Sequence, residues 1–344
     1  MKDNDQALAS LSKRYLHFAE FEARNVSPIY EELARAAADS TFILRFIASL
    51  PQAKQQPNLV LAAIRHLFGP PKDGQQFLHI VEEHAEPIRH LVLRRSTQTN
   101  EPARCATLLP LLGRLPQPLA LIEVGASAGL CLLPDYYGYD YQCDGNDDHI
   151  VQRTPVRPDG SGKQESPDFP VFPCQVNEAT PIPGAIPRVV FRAGLDLNPI
   201  DAADPQEAEW LESLVWPGQE PRATRLRAAI AIAVAVARQH PVNVVKGDLL
   251  TDLPALAARA PKDATLVVFH SAVLAYVAAE ERERFAEVAL GLGGTWISNE
   301  AAGVFPWIAA KRDTTHPPDR FLLSVNGEPV AATGPHGQSV DWFT

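Results

Sequence analysis

The chain has 344 residues, 46% of them hydrophobic, enough to bury a core in one large domain with an appendage or in two domains. Its 41 acidic against 31 basic side chains leave a formal charge of -10, which disfavours broad contact with nucleic acid phosphates or anionic lipid and leaves room only for a local basic patch. Cys105, Cys131, Cys143 and Cys174 show no C-x-x-C spacing, so neither a zinc ribbon nor a thioredoxin-type pair is expected, and with a polar start from Met1 to Gln6 they read as reduced thiols of a cytoplasmic protein.

Residues 7–113 carry apolar positions at spacings of three and four, as in Tyr15, Phe18 and Phe21 or Leu59, Leu61, Ile64 and Leu67. Pro28, Pro51, Pro57 and Pro70-Pro71 stand where helices should start or stop. The region 1–113 is therefore expected to be an all-helical cap domain of about 100 residues. Its last piece is rich in hydrogen-bonding groups: Thr99 or Asn100 can cap the helix through Cys105, with Pro102 in its first turn, whereas capping leaves Gln98, Glu101 and Arg104 without a role.

Leu119 to Val124 reads as a central parallel strand, and Gly125-Ala126-Ser127-Ala128-Gly129 as a tight turn into a helix whose first N–H groups face a ligand. Glu123 would point a carboxylate into the same crevice at the carboxyl ends of the strands. Residues 131–187, with Tyr136, Tyr137, Tyr139 and Tyr141 in a strand-like alternation and many prolines, read as an irregular insertion of short antiparallel strands. The next strand, from Arg188, ends near Asp196 and Asp201, either of which can accept ribose hydroxyls, while Asp201, Asp204 and Glu207 also suit a helix start. Helices over 205–214 and 219–239 follow; the apolar run Ala228–Ala237 spans about 15 Å and reads as a core helix, not a membrane span. Strands then end at Asp248, His270 and Ser298, with Ser271 capping a helix through Tyr276, and Asn326-Gly327 between apolar runs predicts a terminal hairpin.

The dinucleotide pattern G-x-G-x-x-G fails after Gly125, where Ser127 and Leu130 replace glycines. The spacing Glu123, Gly125, Ser127, Gly129 instead resembles the first motif of class I methyltransferases that use S-adenosylmethionine, with Ser127 departing from the usual middle glycine. That resemblance implies a seven-stranded, Rossmann-like, mostly parallel sheet over 114–344 with a C-terminal β-hairpin. It also implies that the Gly125–Gly129 turn holds the methionine part, Asp196 the ribose, and Asp248 with Leu249 the adenine. Methyl transfer needs an in-line acceptor held close, and a base only if the acceptor keeps its proton. His270 is the candidate base, with Ser271 or Tyr276 orienting the acceptor, against a structural role for His270 bonded to a neighbouring loop.

Gln98, Glu101, Arg104 and His336, with Asn100, are candidates for the substrate side of that crevice. Arg192, in a strand, needs a carboxylate partner and is either a structural ion pair or an anchor for an acidic substrate. No metal-ligand spacing is present. Along most of its length the chain resembles a bacterial family of uncharacterised proteins, domain of unknown function 2332, through Gln98-Thr99-Asn100-Glu101 with Arg104, Glu123 to Leu130, Arg192 with Gly194-Leu195-Asp196, Trp216-Pro217 with Arg222, Gly247-Asp248, His270-Ser271 with Tyr276, and His336-Gly337.

The reading expected from all this is an S-adenosylmethionine-dependent methyltransferase with a small-molecule acceptor, no nucleic acid or membrane partner and an open oligomeric state. Two others are a non-catalytic ligand- or nucleoside-binding protein on the same sheet and a serine hydrolase using Ser127. The hydrolase rests on Gly125-Ala-Ser127-Ala-Gly129, which fits the G-x-S-x-G elbow in spacing but has no recognisable Asp and His beyond His270 and His336.

Overall fold

The computed structural model describes residues 2–98, 100–144, 151–158, 169–239, 242–311 and 320–344. Contacts divide the chain into two units, Met1–Thr99 with Asp204–Thr224, and Asn100–Ala203 with Arg225–Thr344. The expected boundary lay at residue 113.

The first unit is helical: α1 (Lys2–His17), α2 (Pro28–Asp39), α3 (Thr41–Ala48), α4 (Pro57–Phe68) and α5 (Gly74–Arg94). Pro28 and Pro57 occupy first-turn positions, where a missing N–H costs nothing, and Ser40 and Asp73 cap α3 and α5 through the N–H of Ile43 and Gln76. Pro87 inside α5 goes with non-helical backbone at His84, as expected where the proline ring displaces a carbonyl one turn back. Tyr15, Phe18, Tyr30, Ile64 and Phe77 form the core. Trp210 of α6 (Pro205–Ser213) is buried in that core and donates Nε1–H to the Ser96 carbonyl at 3.2 Å, which explains why residues 204–224 join these helices.

The second unit is built on one sheet. Its strands in chain order are β1 (Leu119–Val124), β2 (Gly138–Asp144), β3 (Val151–Val156), β4 (Val171–Val176), β5 (Val189–Asp196), β6 (Asn243–Lys246), β7 (Thr265–Ser271), β8 (Thr295–Ala301), β9 (Phe321–Val325), β10 (Glu328–Thr333) and β11 (Ser339–Trp342). They pair in the order β3-β2-β4-β11-β10-β9-β8-β7-β1-β5-β6. The run β6-β5-β1-β7-β8 is parallel throughout, with β1 buried along its whole length as a central strand should be. Strand order reverses between β1 and β7, which places the crevice of an open α/β sheet at the carboxyl ends of these two strands.

The β9–β10 hairpin forms around Asn326 and Gly327, both at positive φ, as the dipeptide requires. The expected count of seven strands is exceeded: among the described residues the sheet has eleven. The extra strands come from the insertion and from β11. β2 and β3 are antiparallel as expected, but β2 runs parallel to β4, and β4 runs parallel to β11. Alternating burial of Phe172, Cys174 and Val176 gives β4 one apolar face, and its pairing covers the sheet edge that β11 would otherwise expose.

Two predicted helices are replaced by tighter turns. After Gly129 the chain makes short 3-10 segments at Leu130–Leu132 and Pro134–Tyr136, because Pro134 drives Leu133 out of the helical region (φ -117°, ψ 37°). After β7, Ser271 is the last strand residue and caps nothing; Ala272 turns through φ 57° into a 3-10 segment at Leu274–Tyr276.

Candidate functional site

Five chain segments of the sheet unit meet at the ends of β1, β5 and β7. Gly125 and Gly129 have φ of 74° and 69°, so the turn between them requires glycine at both ends. Packing adds to the requirement: a Cβ on Gly125 would lie 2.4 Å from Val273 Cγ2, and one on Gly194 would lie 2.5 Å from the Ala126 Cβ. The turn is thus clamped by the loop after β7 on one side and by β5 on the other.

The N–H groups expected to face a ligand are used within the chain. Gly125 and Ala126 donate to the Leu195 carbonyl (2.8 and 3.2 Å), Ser127 to Asp196 Oδ2 (2.8 Å), Ala128 to Asn100 Oδ1 (2.9 Å) and Gly129 to the Ala126 carbonyl (2.7 Å). No α-helix follows to add a dipole. The anion cradle of a dinucleotide site is therefore filled by Asp196 and Asn100, both acceptors. Asn100 also donates Nδ2–H to Ser127 Oγ at 2.7 Å, so it locks this turn and does not cap the following helix; Thr99 lies outside the described residues.

Glu123 is 7% exposed, and its Oε2 is buried without a hydrogen-bond partner. Burial pushes its carboxyl well above the usual range; Cys131 and Asp196 push the same way and the Arg104 guanidinium opposes them. Asp196 spends Oδ2 on Ser127 and Oδ1 on the Asn198 N–H (2.7 Å), yet each carboxylate oxygen can accept a second bond. Leu197, the next residue, is 66% exposed.

Arg104 is buried and ties two loops together, donating Nε–H to the Pro335 carbonyl (2.9 Å) and Nη1–H to the Ser271 carbonyl (3.0 Å). The turn at His336 and Gly337 lies directly on this segment, since a Cβ on Gly337 would fall 2.1 Å from the Ala103 carbonyl oxygen. Glu101 is buried and accepts the Ala103 N–H, while His336 is exposed. Gln98 belongs to the helical unit.

The other predicted residues are placed as follows. Arg192 pairs with Asp135 and lies over the Tyr136 ring. Asp248 is exposed at the end of β6, the neighbour of β5, and its Oδ1 accepts the N–H groups of Leu250 and Thr251. Leu249 packs partly buried against the core, and Asp201 closes its own turn through the Ala203 N–H. Tyr276 is 81% exposed.

His270 does not reach the crevice. It is fully enclosed, with Nδ1 2.8 Å from Glu300 Oε1 and Nε2 accepting Trp296 Nε1–H at 3.1 Å. Indole N–H only donates, so the imidazole carries its single proton on Nδ1 and has no lone pair left for an acceptor's proton. The role of base is corrected to the structural one. Ser127 sits at φ 50°, and its Oγ is bonded to the Asn100 amide, which cannot take a proton as a hydrolase base must.

Sequence reasoning missed Val273, Glu300 and Leu197. Only Leu197 carried a sequence signal, an apolar residue directly after a strand-end acid.

Among the described residues no cluster of three or more His, Cys, Asp or Glu is arranged to hold a metal, and no helix is long and apolar enough to cross a membrane. No curated protein and no solved structure matches the chain. One family model, described as an uncharacterized protein conserved in bacteria (DUF2332), matches residues 12–342, so the chain belongs to that family.

Proposed function

We propose that the protein is an S-adenosylmethionine-dependent methyltransferase acting on a small-molecule acceptor. The observation that carries the reading is the character of the crevice at β1 and β5: the turn's N–H donors are spent, while Glu123 keeps a buried oxygen without a partner. A phosphate-bearing ligand needs free donors. A ligand with an ammonium group, a sulfonium and two ribose hydroxyls brings its own donors and positive charge, and so fits acidic acceptors. The parallel order with its reversal at β1 and β7 supports the same place for it.

On this reading Glu123 holds the cationic amino acid end, Asp196 accepts the ribose hydroxyls, and Leu197 lies against the base with Asp248 and Leu249 beyond it. The bound cofactor supplies an electrophilic methyl group. The chain's part is to hold an acceptor in line, from the loop bearing Ser271 and Tyr276, without help from His270. The enclosure of His270 equally favours a second reading, a nucleoside-binding protein without turnover.

Calorimetric titration with S-adenosylmethionine and with its demethylated product decides between them. Binding of both is expected, weakened roughly 10- to 100-fold in Asp196→Ala through lost charge-assisted hydrogen bonds. Failure of the intact protein to bind either compound overturns the reading. Binding without methyl transfer to any of a broad panel of small acceptors favours the second one.

A further inference from the structure

The loop after β7 presses Val273 onto Gly125, yet it begins with Ala272 at φ 57°, a conformation that a residue with a Cβ keeps only where its surroundings enforce it. Ala272 donates its own N–H to the Asn299 carbonyl (3.2 Å), and the next two residues are held by Glu300, 2% exposed, whose Oε1 accepts the N–H of Val273 (3.0 Å), the N–H of Leu274 (3.1 Å) and the Nδ1–H of His270 (2.8 Å). Trp296 fixes the tautomer that makes His270 a donor. Glu300 Oε2 and Ser324 Oγ have no protein partner, and both residues line a small hollow with Ser298, Phe305 and Leu322 that has room for one water.

We infer that Glu300 is a positioning residue. It holds the Ala272–Tyr276 loop against the glycine turn through one oxygen that gathers three donors, with His270 and Trp296 as its backing. The inference rests on the proposed function only for what the turn binds.

The test compares Glu300→Ala with Glu300→Gln, because a glutamine carbonyl still accepts at Oε1 while its amide nitrogen faces the hollow. In Glu300→Ala, hydrogen exchange at Val273 and Leu274 should rise about tenfold or more, with β1 unchanged, and S-adenosylmethionine should bind about tenfold more weakly. Glu300→Gln should stay within about threefold of the intact protein on both measures. Unchanged exchange at Val273 and Leu274 in Glu300→Ala, or equal damage in the two variants, overturns the inference. If Glu300→Ala does not fold, Glu300→Asp replaces it, since it withdraws the carboxylate without emptying the site. An intact protein that binds no S-adenosylmethionine but shows this exchange pattern loses the cofactor reading and keeps the positioning one.

Discussion

Glu123 at the end of β1 and Glu300 near the end of β8 are both glutamates sealed in one sheet, 7% and 2% exposed, yet the chain provides for them in opposite ways. Glu300 receives three N–H donors on a single oxygen. Both acids leave Oε2 without a protein partner, but no donor of the Gly125–Gly129 turn serves Glu123, since those N–H groups are turned toward Leu195, Asp196, Asn100 and Ala126. A buried carboxyl supplied with donors is part of the framework. One denied them costs stability and is explained when a ligand brings the missing partner.

Gly125 is the joint between the two ends, and substituting it should break the comparison most severely. Gly125→Ala adds a strained φ to a collision with Val273, expected to cost about 2–4 kcal/mol in urea unfolding. Adding Val273→Ala should relieve the Cγ contacts but leave the Cβ contact at 2.8 Å and the strain, a partial non-additivity that a double-mutant cycle measures. Simple additivity would show that the two loops do not press on each other.

A smaller effect sharpens the contrast at Glu123. Its folded pKa lies well above the ordinary 4.5, so the folded protein binds its proton more tightly than the unfolded chain does. Its contribution to stability is therefore full below about pH 4.5 and is lost as pH rises through the folded value. Glu123→Gln should remove that loss and gain about 1 kcal/mol at neutral pH. Calorimetry in buffers of different ionisation enthalpy should detect a proton released when a cationic ligand binds, absent in the variant. Equal pH slopes for the two proteins would remove the case for an unprovided carboxyl.

The smallest effect is expected at Ser127. Ser127→Ala gives up the Asn100 hydrogen bond for about 1 kcal/mol, whereas Ser127→Gly should be nearly neutral because relief at φ 50° offsets the same loss. A serine-directed fluorophosphonate should leave Ser127 unlabelled, and labelling there would revive the hydrolase reading.

Much of the fold is legible in the residues. Apolar runs mark β1, β5, β7 and β8, prolines mark the starts of α2 and α4, and Asn326-Gly327 marks the hairpin, all local signals. The insertion is not legible in the same way, because alternation tells which face of β4 is buried and not which strand it will join. The split of the helical unit is hidden too, since Trp210 reads as any amphipathic helix residue until it enters a core whose other residues run from Leu8 to Val92.

At the candidate site the sequence by itself determined the kinds of group present: small residues at the bend and acids at strand ends. Which donor meets which acceptor was decided only by the tertiary structure, because Ser127 meets Asp196 across 69 residues and His270 meets Glu300 across 30. Periodicity is set by neighbours along the chain, but hydrogen-bond partners are set by strand order. That order filled the glycine turn from within, enclosed His270 against Glu300, and turned the donors of the glycine turn away from Glu123.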